Sequence, residues 1–182
     1  MKIGFTGAQG TGKTTAAKNL LQEMRSKAGE RFIKIDLVHE AARSCPLPIN
    51  KETNCWSQLW IAAEMFQREI EQEIVEKNDI IICDRTLLDA FAYSIRADPN
   101  FFRTLEPFIE SYMGTYDVIF YMPIHKGWLK KDGVRDVDPK FQKDINDRIY
   151  SYLNKWNLMY HTMPTLDEQI EYLLSEEFAT GC

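Results

Sequence analysis

The sequence lacks several features that would point to particular classes of protein. No apolar run approaches the ~20 residues that a membrane-spanning helix needs, so no membrane contact is expected. The four cysteines show no close C-x-x-C spacing and the three histidines are scattered, which disfavours a disulfide framework or a zinc site. The net charge of −5 provides no general attraction to nucleic acid or to anionic membranes.

The opening of the chain leads straight into a motif and leaves no room for a signal peptide. Together with the sparse cysteines, this predicts a reducing, cytoplasmic location, or the host cytoplasm if the source is viral. A length of 182 residues without repeats or linkers predicts a single domain over residues 1–182.

Short apolar segments alternate along the chain with amphipathic ones. The predicted strands cover residues 2–6, 31–38, 79–84 and 116–122, with a further short one near 158–162. The predicted helices cover residues 12–27, 56–74, 88–95, 101–113 with a bend or split at Pro107, 139–156, and a last one from 165. The apolar stripe of the second helix consists of Trp56, Leu59, Trp60, Ala63, Phe66, Ile70 and Ile74. Trp56 and Trp60 are interpreted as core residues, with base stacking as the alternative. This alternation predicts a three-layer α/β/α fold with a parallel sheet, in which ligands bind beyond the carboxyl ends of the strands.

The segment GAQGTGKT between the first strand and the first helix fits the phosphate-loop pattern G-x-x-x-x-G-K-[ST]. Its glycines allow successive N–H groups to point into one concavity, and the helix adds its positive end. Lys13 is expected to reach the β- and γ-phosphates of ATP, and the Thr14 hydroxyl to bind Mg²⁺. The expected nucleotide-binding residues are Gly7, Gln9, Gly10, Thr11, Gly12, Lys13, Thr14 and Thr15. The structural alternative is a glycine-rich turn that binds nothing.

Asp84 and Arg85 follow the third, wholly apolar strand. A carboxylate at this edge can join the Mg²⁺ site or take a proton from an acceptor hydroxyl. The structural alternative for Asp84 is the N-cap of the helix that begins near Thr86. Arg85 carries a permanent charge suited to phosphate contact.

Glu40 and Arg43 follow the second strand at the same edge and share one helical face through their spacing of three. Glu40 could hold an acceptor hydroxyl and Arg43 an acceptor anion, and a structural salt bridge between them is an equal alternative. Whether Asp84 or Glu40 acts as the base is left open by the sequence. Glu40, Arg43 and Arg85 are the candidate acceptor-binding residues.

Residues 125–138 follow the fourth strand and are basic and glycine-containing. Lys126, Lys130, Lys131 and Arg135 lie within ten residues of one another. A flap of this kind can close over a triphosphate, exclude water and supply charge to the transition state. Arg135 is the chosen candidate for that charge, and a solvated charged loop is the alternative.

The segments GAQGTGKTT, HEAAR, IIICDR and DGVRD resemble those of the P-loop nucleoside and nucleotide kinase superfamily, in the same order. The sequence is most similar to the small kinases that include the nicotinamide riboside kinase domains, which often carry Glu-x-x-Arg after the second strand. The resemblance implies a five-stranded parallel sheet in the order 2-3-1-4-5, an ATP donor with Mg²⁺, and a LID around Arg135. Asp89 and Tyr93 also match this group, without an assigned role.

These observations predict an ATP-dependent kinase that transfers the γ-phosphate to a hydroxyl or phosphate of a nucleoside- or nucleotide-type acceptor. One alternative acceptor is a hydroxymethylated pyrimidine in DNA. Its basic track would consist of Arg96, Arg103, Lys140, Lys143 and Arg148. An alternative of another class is a regulatory nucleotide-binding protein without an acceptor. The sequence is compatible with a homodimer.

Overall fold

The computed structural model describes residues 1–28, 33–129, 137–162 and 165–176. The strands are β1 (Lys2–Thr6), β2 (Ile35–Val38), β3 (Ile80–Asp84) and β4 (Val118–Tyr121). The helices are α1 (Lys13–Ala28), α2 (Cys55–Ile70), α3 (Leu87–Ala97), α4 (Pro99–Arg103), α5 (Glu106–Met113), α6 (Pro139–Lys155) and α7 (Leu166–Glu176). No helix in these ranges is both long enough and apolar enough to cross a bilayer.

All pairs of neighbouring strands are parallel, and the described residues form one sheet in the order β2-β3-β1-β4. This order matches the first four positions of the predicted order 2-3-1-4-5, but the prediction of five strands is wrong for the described residues, which form no fifth strand. Residues 158–162 contribute a single bridge between His161 and Phe120. His161 N donates to Ile119 O and its carbonyl oxygen accepts from Tyr121 N, both at 2.9 Å. Because His161 alone forms this bridge, residues 158–162 do not form a strand.

The sheet is covered on both faces, as the apolar strands predicted. Successive residues of β3 alternate between two hydrophobic clusters: Ile80 and Ile82 pack with α1 residues, whereas Ile81 and Cys83 pack with residues of α2, α3 and α6. This period of two is the ordinary consequence of strand geometry. The three-layer α/β/α arrangement is confirmed, and the split near Pro107 is found as the break between α4 and α5.

Helix α2 is rotated relative to the prediction from its apolar stripe. Trp56 is 65% exposed, so its interpretation as a core residue is wrong, and Ile70 is 49% exposed; Trp60 packs partly buried against the core. The face turned inward carries Ser57, Gln58, Ile61, Met65 and Glu69. This face supplies Gln58 to a pocket described below.

A buried ion pair accounts for the charged residue on the inner face of α2. Glu69 is fully buried, and its Oε2 lies 2.8 Å from Nζ of Lys2 at the start of β1. The hydroxyls of Tyr112 and Tyr116 donate to the two carboxylate oxygens at 2.9 and 2.7 Å. A buried charge is tolerated when it is paired and hydrogen-bonded in this way. The pair ties α2 and α5 to the amino end of β1, away from the phosphate loop.

Candidate active site

The phosphate loop connects β1 to α1, and its backbone requires glycine. Gly7, Gly10 and Gly12 have φ values of 151°, 73° and 90°, which L side chains rarely adopt. A Cβ on Gly7 would also lie 2.5 Å from the carbonyl oxygen of Met122, just after β4. The glycines of the motif therefore serve both the turn itself and the close approach of the neighbouring chain.

The Lys13 ammonium is buried inside this loop. Its Nζ donates to the carbonyl oxygens of Gly7 at 2.5 Å and Ala8 at 2.6 Å, and it lies 3.8 Å from Oδ1 of Asp89. Burial, and then the charge of Arg85, lower the pKa of Lys13 to about 8, against the opposing attraction of nearby carboxylates. A lysine in this environment carries a charge that a polyanion would stabilise.

Asp84 ends β3 beside the first turn of α1. Its side chain is buried, and the Thr14 hydroxyl lies beside the carboxylate. Burial raises the pKa of Asp84, and the Thr14 hydroxyl acts to lower it. The N-cap of α3 is Thr86, whose side chain forms a capping box with Asp89. The alternative role of Asp84 as a helix cap is therefore wrong.

Asp84 and Thr14 have the chemistry of a magnesium site. Oδ1 of Asp84 is buried without a hydrogen-bond partner among the described residues. Magnesium is typically held by one or two protein oxygens together with water and substrate phosphates. The described part of the chain contains no group of three or more His, Cys, Asp or Glu side chains arranged for a metal. The orphaned carboxylate oxygen and the adjacent hydroxyl fit that minimal ligand set.

Glu40 and Arg85 form the closest ion pair of the site. Nε of Arg85 donates to Oε1 of Glu40 at 2.6 Å, and both side chains are nearly buried. Nε of Arg43 lies 3.3 Å from Oε2 of the same carboxylate. Burial alone would raise the pKa of Glu40, but the charges of Arg85 and Lys13 hold it at about 2. Glu40 is therefore ionised at neutral pH.

The backbone of Arg85 is strained, with a φ of 97° at a non-glycine residue. Such conformations cost on the order of 1–3 kcal/mol and cluster at functional sites. The turn delivers the guanidinium to a position between two carboxylates, because Nη1 of Arg85 also lies 3.6 Å from Oδ1 of Asp89.

Asp89 and Tyr93 on α3 are functional-site residues to which the sequence assigned no role. The Asp89 carboxylate is fully buried and accepts from Gly7 N at 3.1 Å and from Thr86 N at 3.0 Å. It thus fixes the start of the phosphate loop against the start of α3. The capping-box pattern Thr-x-x-Asp at residues 86–89 is the signal that could have identified it.

A pocket opens at the carboxyl ends of β1, β2 and β3. It encloses about 550 Å³, part of it open to solvent. Its polar lining consists of Gln9, Glu40, Arg43, Asn50, Gln58 and Arg85, with the Tyr93 ring beside them. Ile61 and Met65 of α2 add an apolar wall. This mixture of polar and apolar groups is typical of small-molecule sites.

The structure brings most of the predicted site residues together at one edge of the sheet. Gln9 faces the pocket, the Thr11 hydroxyl donates to Ala8 O at 3.0 Å, and Thr15 is exposed on α1. Lys130, Lys131 and Arg135 lie outside the described residues, so their roles stay predictions. The beginning of the predicted flap lies over the loop: a Cβ on Gly10 would be 2.8 Å from Cδ1 of Leu129.

Comparisons with known proteins agree with this geometry. A family described as an AAA domain, AAA_28, matches residues 2–169. The thymidylate kinase of Onion yellows phytoplasma is 27% identical over 156 residues, which cover 80% of this chain and 72% of that protein.

Three solved structures share the fold. The thymidylate kinase of Ehrlichia chaffeensis has a TM-score of 0.65 at 19% identity, covering 96% of this chain and 98% of that one. The deoxyadenosine kinase of M. mycoides, with the products dCMP and dCDP, has a TM-score of 0.63 at 19% identity and covers 98% and 100%. NadR in complex with NAD and AMP-PNP has a TM-score of 0.69 at 15% identity, covering 96% of this chain and 48% of NadR.

The match over residues 2–169 spans most of the sequence, and the solved structures share its fold. The chain therefore belongs to the AAA_28 family, which is described as an AAA domain.

Proposed function

We propose that this protein is an ATP-dependent kinase that transfers the γ-phosphate to a hydroxyl or phosphate of a nucleoside- or nucleotide-type acceptor. The proposal rests on one observation: the site for the phosphate donor lies next to a pocket that can hold the acceptor. The phosphate loop and a pocket containing the Glu40–Arg85 ion pair adjoin at one edge of the sheet, and Gln9 of the loop lines that pocket. Such adjacency is what phosphoryl transfer requires, because catalysis there consists largely of positioning and charge stabilisation.

The donor half consists of the loop amides, Lys13, Thr14 and Asp84. The Lys13 ammonium, now bonded to loop carbonyls, would contact the β- and γ-phosphates of ATP. Thr14 and Asp84 would hold Mg²⁺, which when bound neutralises phosphate charge and orients the phosphates. The carboxylate of Asp84 lies beside the Thr14 hydroxyl.

The acceptor half contains the base. Glu40 lines the pocket, whereas Asp84 is absent from its lining and lies beside Thr14. We therefore assign Glu40, rather than Asp84, to accept the hydrogen bond and then the proton of an acceptor hydroxyl. Arg85 and Arg43 would neutralise charge that develops on the transferred group.

The nature of the acceptor is inferred from the pocket and from the relatives. The amide of Gln58 and the two arginines can bind the polar edge and anionic groups of a nucleotide, and Ile61 and Met65 can contact a planar base. The relatives named as thymidylate kinase and deoxyadenosine kinase support the same class of acceptor.

The surface of α6 disfavours the DNA alternative. Arg96 and Arg148 lie 3.2 and 3.1 Å from carboxylate oxygens of Asp144, and Lys143 is paired with Asp147. A basic track for DNA requires cations available to phosphates. Here acidic neighbours compete for three of the five predicted cations.

The experiment that tests the proposal is transfer of label from [γ-³²P]ATP across a panel of nucleosides, nucleotides, nicotinamide riboside and hydroxymethylated DNA. We expect labelled product from a nucleoside or nucleotide with the wild type and none with Lys13→Ala. A regulatory protein without an acceptor would show ATP hydrolysis that no member of the panel stimulates. Product from DNA alone would favour the polymer alternative.

A further inference from the structure

Gln9 belongs to the phosphate loop by sequence and to the acceptor pocket by position. Its side chain is buried, yet the residue lines the same pocket as Glu40 and Arg43. Gln9 was predicted to bind nucleotide phosphates, but the backbone N–H groups of the loop can make those contacts without its side chain. The contacts of its side-chain amide indicate a different task.

The orientation of this amide is set by a hydrogen bond from Tyr93. The Tyr93 hydroxyl donates to Oε1 of Gln9 at 2.8 Å. The oxygen of a side-chain amide accepts hydrogen bonds and its nitrogen donates them. Oε1 therefore faces Tyr93, and the amide nitrogen is directed elsewhere.

The backbone of Gln9 is held as well. Nε2 of Gln142, which is buried on α6, donates to the carbonyl oxygen of Gln9 at 2.7 Å. With the side-chain oxygen and the main-chain oxygen both bound, rotation of the amide would break a buried hydrogen bond.

The amide nitrogen itself has no partner. Nε2 of Gln9 is buried without a hydrogen bond among the described residues. A buried donor left unsatisfied costs about 1–3 kcal/mol, and the hydrogen bonds from Tyr93 and Gln142 hold Gln9 in this arrangement. An orphaned donor on the wall of a binding pocket is best explained by a partner that arrives with the ligand.

We propose that the Gln9 amide N–H donates a hydrogen bond to an oxygen of the acceptor, and that Gln9 is a specificity-determining residue held by Tyr93. This inference rests on the proposed kinase function. The site would favour an acceptor with a hydroxyl or phosphate oxygen at this point. It would reject one with hydrogen, methyl or an N–H group there, because the amide would stay unpaired.

The test uses the acceptor that the panel identifies, with steady-state kinetics in which acceptor and ATP are varied separately. For Gln9→Leu we expect the KM for the acceptor to rise at least tenfold and the KM for ATP to change less than threefold. Tyr93→Phe frees the amide to rotate, so its acceptor KM should rise by a smaller factor. Tyr121→Phe, which removes a hydroxyl bonded to Asn146, is the matched control and should leave both KM values unchanged.

Analogues of the acceptor that each lack one hydroxyl or phosphate oxygen identify the contact. With the wild type, kcat/KM for one analogue should be at least tenfold lower than for the complete acceptor. With Gln9→Leu, the same two compounds should differ in kcat/KM by less than threefold. Gln9→Glu, which keeps the size but replaces the donor by an acceptor, should also raise the acceptor KM. Gln9→Glu takes the place of Gln9→Leu in this test if thermal unfolding shows that Gln9→Leu does not fold.

Two results would overturn the inference, and they are distinguishable. If Gln9→Leu or Gln9→Glu raised the KM for ATP and left that for the acceptor unchanged, Gln9 would belong to the donor half and the kinase proposal would stand. If the wild type phosphorylated no member of the panel, the proposed function and this inference would fail together.

Discussion

Nε of Arg85 lies 2.6 Å from Oε1 of Glu40, so that a residue after β3 and a residue after β2 form one buried ion pair. The pair joins two strand ends and lines the pocket beside the phosphate loop. It also keeps Glu40 ionised, because the attraction of Arg85 and Lys13 outweighs the effect of burial on its pKa.

Replacing Glu40 by Gln removes the charge and retains the shape. We expect Glu40→Gln to lower kcat by about a hundredfold or more, as for the loss of a general base, with little change in ATP affinity. Turnover and ATP binding measured on the same preparation check this. Glu110→Gln, at an exposed position of α5, is the control and should keep normal turnover.

Acid should remove the stability contributed by Glu40. Its pKa is about 2 in the folded protein against an ordinary 4.5, so the contribution is present above pH 4.5 and is lost as pH falls toward 2. The size is on the order of 3 kcal/mol. Urea unfolding of wild type and Glu40→Gln between pH 7 and pH 3 checks it: the difference in free energy of unfolding should shrink as pH falls. A difference independent of pH would contradict the assignment.

Alkaline pH should weaken ATP binding through Lys13. Its pKa of about 8 in the free protein means that the loop loses its positive charge above that pH, whereas bound phosphate favours the charged form. The Kd for ATP should therefore rise above pH 8, by up to about tenfold per pH unit. Titrations from pH 7 to 9.5 check this. Lys13→Met should bind weakly with a flat profile, and Lys18→Met, exposed on α1, should follow the wild type.

Lys2→Met should destabilise the fold without a direct effect on chemistry. It leaves Glu69 charged and buried without its ammonium partner, which costs about 3–5 kcal/mol. The double variant Lys2→Met/Glu69→Gln removes the uncompensated charge and should recover much of the loss. Chemical denaturation measures both, and KM values near normal at low temperature would confirm that the pair lies outside the site.

The sequence predicted the parts of the site that depend on local pattern. The loop from Gly7 to Thr14 has its own motif, and Glu40 and Asp84 were found because parallel strands deliver their carboxyl ends to one edge. The sequence left open which of the two carboxylates is the base, because that depends on which side chain the pocket contains and which one lies beside Thr14.

The rest depended on tertiary packing. The apolar stripe of α2 placed Ile70 inside, but the buried pairing of Glu69 with Lys2 turns the helix the other way. The predicted fifth strand is not found because, among the described residues that follow α6, only His161 pairs with β4. The role of Tyr93 depends on its contact with Gln9, 84 residues away in the chain, which spacing alone does not reveal.

The measurement that tests the account most directly is the ratio of labelled acceptor formed to ATP consumed, for wild type and Glu40→Gln with the best nucleoside or nucleotide of the panel. The account predicts about one labelled acceptor per ATP in the wild type and a fall in its rate of formation of about a hundredfold or more in Glu40→Gln. ATP consumption without labelled acceptor, or equal product formation by the two proteins, would contradict it.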